Sequence, residues 1–187
     1  MLRIIGGRWR GRRLRFPALA DIRPTPDRVR ETLFNWLGQR VQGARCLDLF
    51  AGSGALGLEA LSRGAEQVTF IERESRAAQQ LRAHLSAWQA SGAEVITLDA
   101  VHYLSGAARR FDIVFLDPPF ASSLIASTAE LLEARDWLSP DALIYVETDA
   151  RAELPQLPVT WQVRKAKQAG AVGYHLLTRA ENQAHGG

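Results

Sequence analysis

Asp117-Pro118-Pro119-Phe120 brings three kinds of chemistry into four residues. Two successive prolines fix the backbone and remove two N–H donors, which leaves outward carbonyls without amide partners. A carboxylate that only accepts, a carbonyl beside it and an aromatic face fit a planar heterocycle carrying an exocyclic amine. The lone pair of such an amine is delocalised into its ring. Hydrogen bonds from its two N–H groups to the Asp117 carboxylate and the Pro118 carbonyl favour pyramidalisation and release that lone pair for attack on a methyl group. The carboxylate also stabilises the positive charge that develops on the nitrogen. Phe120 stacks on the ring and holds it in line. The bland alternative is a rigid turn with an aromatic plug in the core.

A second set of residues points to a nucleotide-like cofactor. Asp48-Leu49-Phe50 runs into Ala51-Gly52-Ser53-Gly54-Ala55-Leu56-Gly57, which matches G-x-G-x-x-G between a predicted strand and a predicted helix. Glycines there let the backbone come close to a bound nucleotide at the carboxyl edge of a sheet. Glu72, at the end of the next strand, can accept both hydroxyls of a ribose. These features fit a dinucleotide and S-adenosylmethionine equally, and a tight strand-to-helix turn would use the same glycines. Asp48 tips the balance, because it sits inside an otherwise apolar strand where a buried carboxylate needs a partner. The amino group of a methionine moiety is such a cation. Asp99-Ala100 ends the third strand, where Asp99 can accept the amine of an adenine, cap a short helix, or do both.

These groups meet only if several strand ends reach one edge, and the intervening sequence has the alternation that does this. Strands are predicted over Arg45–Phe50, Gln67–Ile71, Glu94–Leu98, Ile113–Leu116 and Ala142–Glu147. Helices are predicted over Ala55–Arg63, Ser75–Ala90, Val101–Leu104 and Ser122–Ala134. Such alternation means parallel strands with right-handed crossovers, hence an open α/β sheet. Val159–Ala166 and Gly173–Arg179, separated by a turn at Gly170, read as a hairpin that ends the sheet antiparallel. Ahead of the sheet, Val29, Leu33, Trp36 and Leu37 recur at helical spacing from Asp27 to a stop at Gly38, with Thr25 or Asp27 as the cap. The preceding apolar pieces suggest two short strands turning at Gly6-Gly7 and Gly11.

The 187 residues, 47% hydrophobic and 23% charged, argue for one globular domain rather than a disordered or collagen-like chain. We divide them into a basic extension over 1–40, an α/β domain over 41–180 and a frayed tail over 181–187. No apolar run is long enough for a membrane span, and no secretory signal is visible. One cysteine, Cys46, and four scattered histidines predict neither a disulfide framework nor a metal site. A reduced, cytoplasmic, monomeric protein is expected. The net charge of +3 divides unevenly: residues 1–45 hold 11 Arg against 3 acids, and the rest hold 12 basic residues against 17 acids. A basic arm on an acidic body suggests a polyanionic partner met by one end, although a solvated tail would look similar. Arginine, with its planar fork, suits phosphates and guanine edges.

These residues resemble the S-adenosylmethionine-dependent amino-methyltransferases of Rossmann-like fold. The likeness is closer to one family. Arg3-Ile4-Ile5-Gly6-Gly7-x-Trp9-Arg10-Gly11, the block Arg23-Pro24-Thr25-x-Asp27-Arg28-Val29-Arg30-Glu31-Thr32-Leu33-Phe34-Asn35-Trp36-Leu37 and the stretch Phe50–Arg63 look like the bacterial RsmD family, and the match continues through Asp117–Phe120 and Ala142–Glu147. That family methylates a guanine N2 in 16S ribosomal RNA. The resemblance implies that Asp48, Phe50, Ala51, Gly52, Ser53, Gly54, Glu72, Asp99 and Ala100 hold S-adenosylmethionine, released as S-adenosylhomocysteine, with no metal. It implies Asp117, Pro118 and Phe120 as the catalytic set. The partner would be 16S ribosomal RNA in the small subunit or an assembly intermediate, met by Arg8, Trp9, Arg10, Arg12, Arg13, Arg23, Arg28 and Arg30. The Thr25–Arg30 block would close over the cofactor, with Arg28 a candidate for its carboxylate. Adenine N6 remains a chemical alternative. A nicotinamide-dependent oxidoreductase leaves Asp48, the Asp-Pro-Pro-Phe turn and the arm without roles. A non-catalytic ribosome-assembly factor has no use for an intact Asp117. Methylation at pyrimidine C5 needs a nucleophilic cysteine, and Cys46 reads as core.

Overall fold

The computed structural model describes residues 2–15, 24–119 and 122–180. Seven strands form one sheet: β3 (Arg45–Asp48), β4 (Gln67–Glu72), β5 (Ala93–Thr97), β6 (Phe111–Leu116), β7 (Leu138–Asp149), β8 (Trp161–Ala169) and β9 (Val172–Arg179). Their order is β5-β4-β3-β6-β7-β9-β8, with the first five parallel, β9 antiparallel to β7, and β8 antiparallel to β9. This is the expected mostly parallel α/β sheet ending in a hairpin.

Consecutive residues explain why the strands read as unbroken apolar runs. Cys46, Ile113 and Phe115 pack on one face of the sheet, whereas their neighbours Leu47, Val114 and Leu116 pack on the other. Helices α4 (Ala100–Leu104) and α5 (Ser122–Ala134) cover the second face. The first face carries α1 (Asp27–Leu37), α2 (Ala55–Ser62) and α3 (Ser75–Ala87). A strand covered on both sides has no solvent side on which to alternate. Strand order reverses between β3 and β6, so the chain leaves their carboxyl ends in opposite directions and opens a crevice there.

Several boundaries differ from the sequence expectation. Strand β3 stops at Asp48 because Leu49 and Phe50 already turn into the glycine loop. Strand β7 begins four residues earlier than the apolar run, with Leu138 pairing to Phe111 across a register shift. Neither Thr25 nor Asp27 caps α1. Pro26 occupies the cap position, while the Asp27 carboxylate accepts from Arg3 and Arg30.

The arm is folded onto the body. Strands β1 (Leu2–Arg3) and β2 (Arg13–Leu14) pair antiparallel around a 3-10 turn at Gly7–Trp9. Leu2, Ile4, Trp9 and Leu14 join the apolar cluster of α1 and α2. Trp9 is only 4% exposed and packs on Trp88 at 5.2 Å between ring centroids. Gly7 has φ +73°, and a Cβ there would lie 1.9 Å from the Ser62 carbonyl oxygen. Among the described residues no helix is long and apolar enough to cross a membrane. The tail 181–187 lies outside the described residues.

Candidate active site

A cavity of about 660 Å³ opens at the carboxyl ends of β3, β4, β6 and β7 and the start of α4. Asp48, Phe50, Ala51, Gly52, Ser53, Glu72, Asp99, Ala100, Asp117 and Pro118 all line it. Four segments distant in sequence therefore converge on one space. Gly54 stands just behind the wall as the residue before α2. Its φ of +78° is left-handed, and a Cβ would sit 2.5 Å from Leu81 Cδ1. Phe120 and Arg23 lie outside the described residues.

Three carboxylates shape the glycine-loop side. Glu72 accepts from the Gly52 N–H through Oε2 at 2.7 Å and from the Glu74 N–H through Oε1 at 2.8 Å. The strand end thereby pins the loop from which α2 starts. Asp48 is 2% exposed, and among the described residues the one donor reaching it is the Gly57 N–H, at 3.0 Å. Burial pushes its carboxyl up to about 7, with Glu72 adding to the effect and the Gly57 bond opposing it. A buried carboxylate so poorly partnered suits a cation. Asp99 caps α4, with Oδ1 accepting from the Val101 and His102 N–H groups at 3.0 and 3.1 Å. Among the described residues no donor reaches its Oδ2, so capping and ligand binding are compatible there.

The opposite wall pairs two further carboxyl groups. Leu116 faces Val146 in the β6–β7 register, which places Asp117 beside Glu147. The Thr25 hydroxyl lies 3.3 Å from Asp117 Oδ2 and 3.2 Å from Glu147 Oε2, and the Tyr145 hydroxyl donates to Glu147 Oε2 at 2.9 Å. Burial, the Glu147 charge and the Asp48 charge hold Asp117 well above the usual carboxylate range. Burial raises Glu147 as well. Both groups retain protons readily, and the pair lies close enough to share one.

Sequence reasoning passed over Tyr145 and Glu147 as parts of this site, and placed Thr25 only in a block expected to close over the cofactor, which its position in the cavity lining agrees with. A signal existed for Glu147: like Asp48, Glu72 and Asp117, it is an acid at the end of an apolar run. The contact of Thr25 with Asp117 and Glu147 carried no such signal, because its approach depends on where α1 docks.

The surface assigned to the arm needs two corrections. Trp9 has no ring face to offer a base, since it fills the core beside Trp88. Arg30 is fully buried, bonded to Glu59, Asp27 and the carbonyl oxygens of Thr25 and Arg3. Arg8, Arg10, Arg12 and Arg13 are exposed. Arg28 is exposed on α1 and does not line the cavity.

A family model described as "Conserved hypothetical protein 95" matches residues 2–178. The chain is 49% identical to "Ribosomal RNA small subunit methyltransferase D" of Escherichia coli strain K12 over 178 residues, covering 95% of this chain and 90% of that protein. It is 46% identical to the Haemophilus influenzae protein of the same name, covering 94% and 92%. The solved structure of Escherichia coli yhhF superposes with a TM-score of 0.90 at 47% identity, covering 96% of this chain and 98% of that one.

Proposed function

The chain belongs to the RsmD family, and from that membership we propose that it transfers a methyl group from S-adenosylmethionine to the exocyclic N2 of a guanine in 16S ribosomal RNA. The observation that carries this reading is the shared cavity. One wall carries Asp48, Glu72 and Asp99, which would accept from a cationic amine, a ribose and an adenine, and the other carries Asp117 and Pro118, whose carboxylate and carbonyl would take a second amine.

S-adenosylmethionine supplies an electrophilic methyl group on a sulfonium. Asp48 would pair with its amino group, Glu72 with its ribose hydroxyls and Asp99 Oδ2 with its adenine amine. Phe50, Ala51, Ser53 and Ala100 would line the same pocket. Asp117 and the Pro118 carbonyl accept the two N–H groups of the target amine, which turns the nitrogen lone pair out of the ring plane. Positive charge then grows on nitrogen next to the Asp117 carboxylate, where a fixed negative charge in a poorly solvated site is most effective. The nitrogen must lose a proton as it gains a carbon. Asp117, whose proton affinity is raised, is placed to take it. Phe120 would hold the base by stacking.

A base in a duplex cannot reach such a cavity, so the target nucleotide leaves its stack. Arg8, Arg10, Arg12 and Arg13 would hold the neighbouring phosphates. With ribosomal RNA as its substrate, the enzyme would work in the cytoplasm.

Labelled methyl transfer to small subunits from a strain lacking the enzyme, followed by nucleoside identification, tests the reading. N2-methylguanosine supports it, and N6-methyladenosine overturns the choice of base. In the same assay Asp117→Ala is expected to lower transfer by about 1,000-fold or more while cofactor affinity, read by calorimetry, stays within a few-fold. Substantial residual turnover would remove Asp117 from the mechanism.

A further inference from the structure

Glu147 has no part in the mechanism above, yet it faces the cavity beside Asp117. Its Oε2 accepts the Tyr145 hydroxyl at 2.9 Å and lies 3.2 Å from the Thr25 hydroxyl. Apart from the Asp117 carboxyl, with which Glu147 can share a proton, no donor among the described residues reaches Oε1. Oε2 thus lies against two hydroxyls, that of Thr25 being within reach of Asp117 as well, and Glu147 lines the cavity.

The Watson–Crick edge of guanine meets this arrangement in a particular way. It presents N1–H directly beside the N2 amine, so the donor row continues past the reacting nitrogen. Adenine presents a bare N1 beside its amine, and that lone pair would face a carboxylate lone pair. Two carboxylates side by side also need donors between them. In the free protein a shared proton can serve, and a bound guanine replaces it with N–H groups.

Building on the guanine-N2 reading, we propose that Glu147 is the residue that selects guanine, accepting N1–H through Oε1 while Asp117 and the Pro118 carbonyl hold the N2 amine. Tyr145 and Thr25 act through it as positioning residues. Their hydroxyls lock the carboxylate so that a single oxygen faces the base. A site built to accept this N–H loses its match when the base offers a lone pair instead, a penalty larger than that of a missing apolar contact.

2-Aminopurine separates the roles, because it keeps the exocyclic amine at C2 but has an acceptor at N1. Small subunits would be assembled from 16S ribosomal RNA bearing guanine or 2-aminopurine at the nucleotide that the enzyme methylates. The wild-type enzyme is expected to prefer guanine by at least about 100-fold in kcat/KM. In Glu147→Gln the two hydroxyls should hold the amide oxygen at the Oε2 position and turn its NH2 toward the base. That donor opposes guanine N1–H and complements 2-aminopurine N1. The preference is therefore expected to fall below about 10-fold, through loss on guanine and gain or retention on 2-aminopurine.

An equal fall on both bases in Glu147→Gln would make Glu147 a structural residue and overturn the proposal. Equal wild-type use of guanine and 2-aminopurine would also overturn it, and that measurement requires no variant to fold. Methylation found on adenine N6 would instead overturn the guanine-N2 reading beneath it.

Discussion

Asp48 is the residue whose chemistry changes most between an empty and a filled site. Its carboxyl is raised from 3.8 to about 7, first by burial and then by Glu72. The folded state therefore favours the protonated form, and the empty protein loses stability as pH rises from about 4 to about 7. The loss reaches ~4 kcal/mol at most. Asp48→Asn should remove this slope, so the ligand-free variant is expected to melt above wild type at pH 8 and near it at pH 5. A cationic amine reverses the preference by favouring the ionised carboxylate. Affinity for S-adenosylmethionine should accordingly rise by up to about tenfold between pH 6 and pH 7.5, and Asp48→Asn should bind weakly with a flat profile. Calorimetry across that range checks both, and a flat wild-type profile would separate Asp48 from the amine. This residue was legible in the sequence because a lone acid in an apolar strand is costly. The contact between Thr25 and Asp117 was not, because it is made across 92 residues of chain.

At the scale of elements, α2 connects the arm to the site. Its first turn follows the glycine loop, and one of its later residues, the buried Glu59, accepts the Ile5 N–H at 2.9 Å, the Gly6 N–H at 2.8 Å, Arg63 at 2.8 Å and Arg30 at 3.3 Å. Ser62 completes the seam by accepting the Trp9 N–H and donating to the Gly6 carbonyl. Glu59→Ala removes the fully buried one of the two carboxylate partners of a buried guanidinium and leaves two arm amides unpaired. We expect it to cost roughly 3–5 kcal/mol, a drop of about 6–20 °C in melting temperature for a chain of this size. Thermal unfolding followed by circular dichroism measures this, and a drop under about 2 °C would mean that the arm is held by its apolar contacts alone. The elements themselves were readable where period and punctuation agreed: α1, the alternating strands and the terminal hairpin all fall near their predicted places. Glu59 was not, since an acid on a helix in an apolar stretch looks the same whether it faces solvent or holds a distant amide.

Over the whole molecule, the charge division visible in the sequence persists, but folding redistributes it. Arg30 spends its charge inside, on Glu59 and Asp27. Arg8 and Arg12 stay at the surface, their guanidinium groups lying 4.4 Å over Trp9 and 5.5 Å over Trp88. The fully exposed part of the positive field is therefore smaller than a count of arginines suggests. Reversing Arg10 and Arg12 to Glu is expected to weaken RNA binding and to flatten the slope of log affinity against log salt by about 1.5–2. Filter binding between 50 and 200 mM salt reads the change, and an unaltered slope would leave these arginines as solvated surface. Composition could announce a basic end; it could not tell which basic residues are structural, because that depends on which side of the arm meets α2. The buried underside of the arm also decides what can be cut away. Leu2, Ile4, Trp9 and Leu14 are as much a part of the apolar interior as the residues of α1 and α2 in the same cluster. A shortened protein beginning after residue 40 would not be a smaller, RNA-blind enzyme but a sheet with an uncovered greasy face, prone to precipitate. Nor could residues 1–40 be transplanted as a ready-made RNA tag, since the surface that gives them their shape would stay behind.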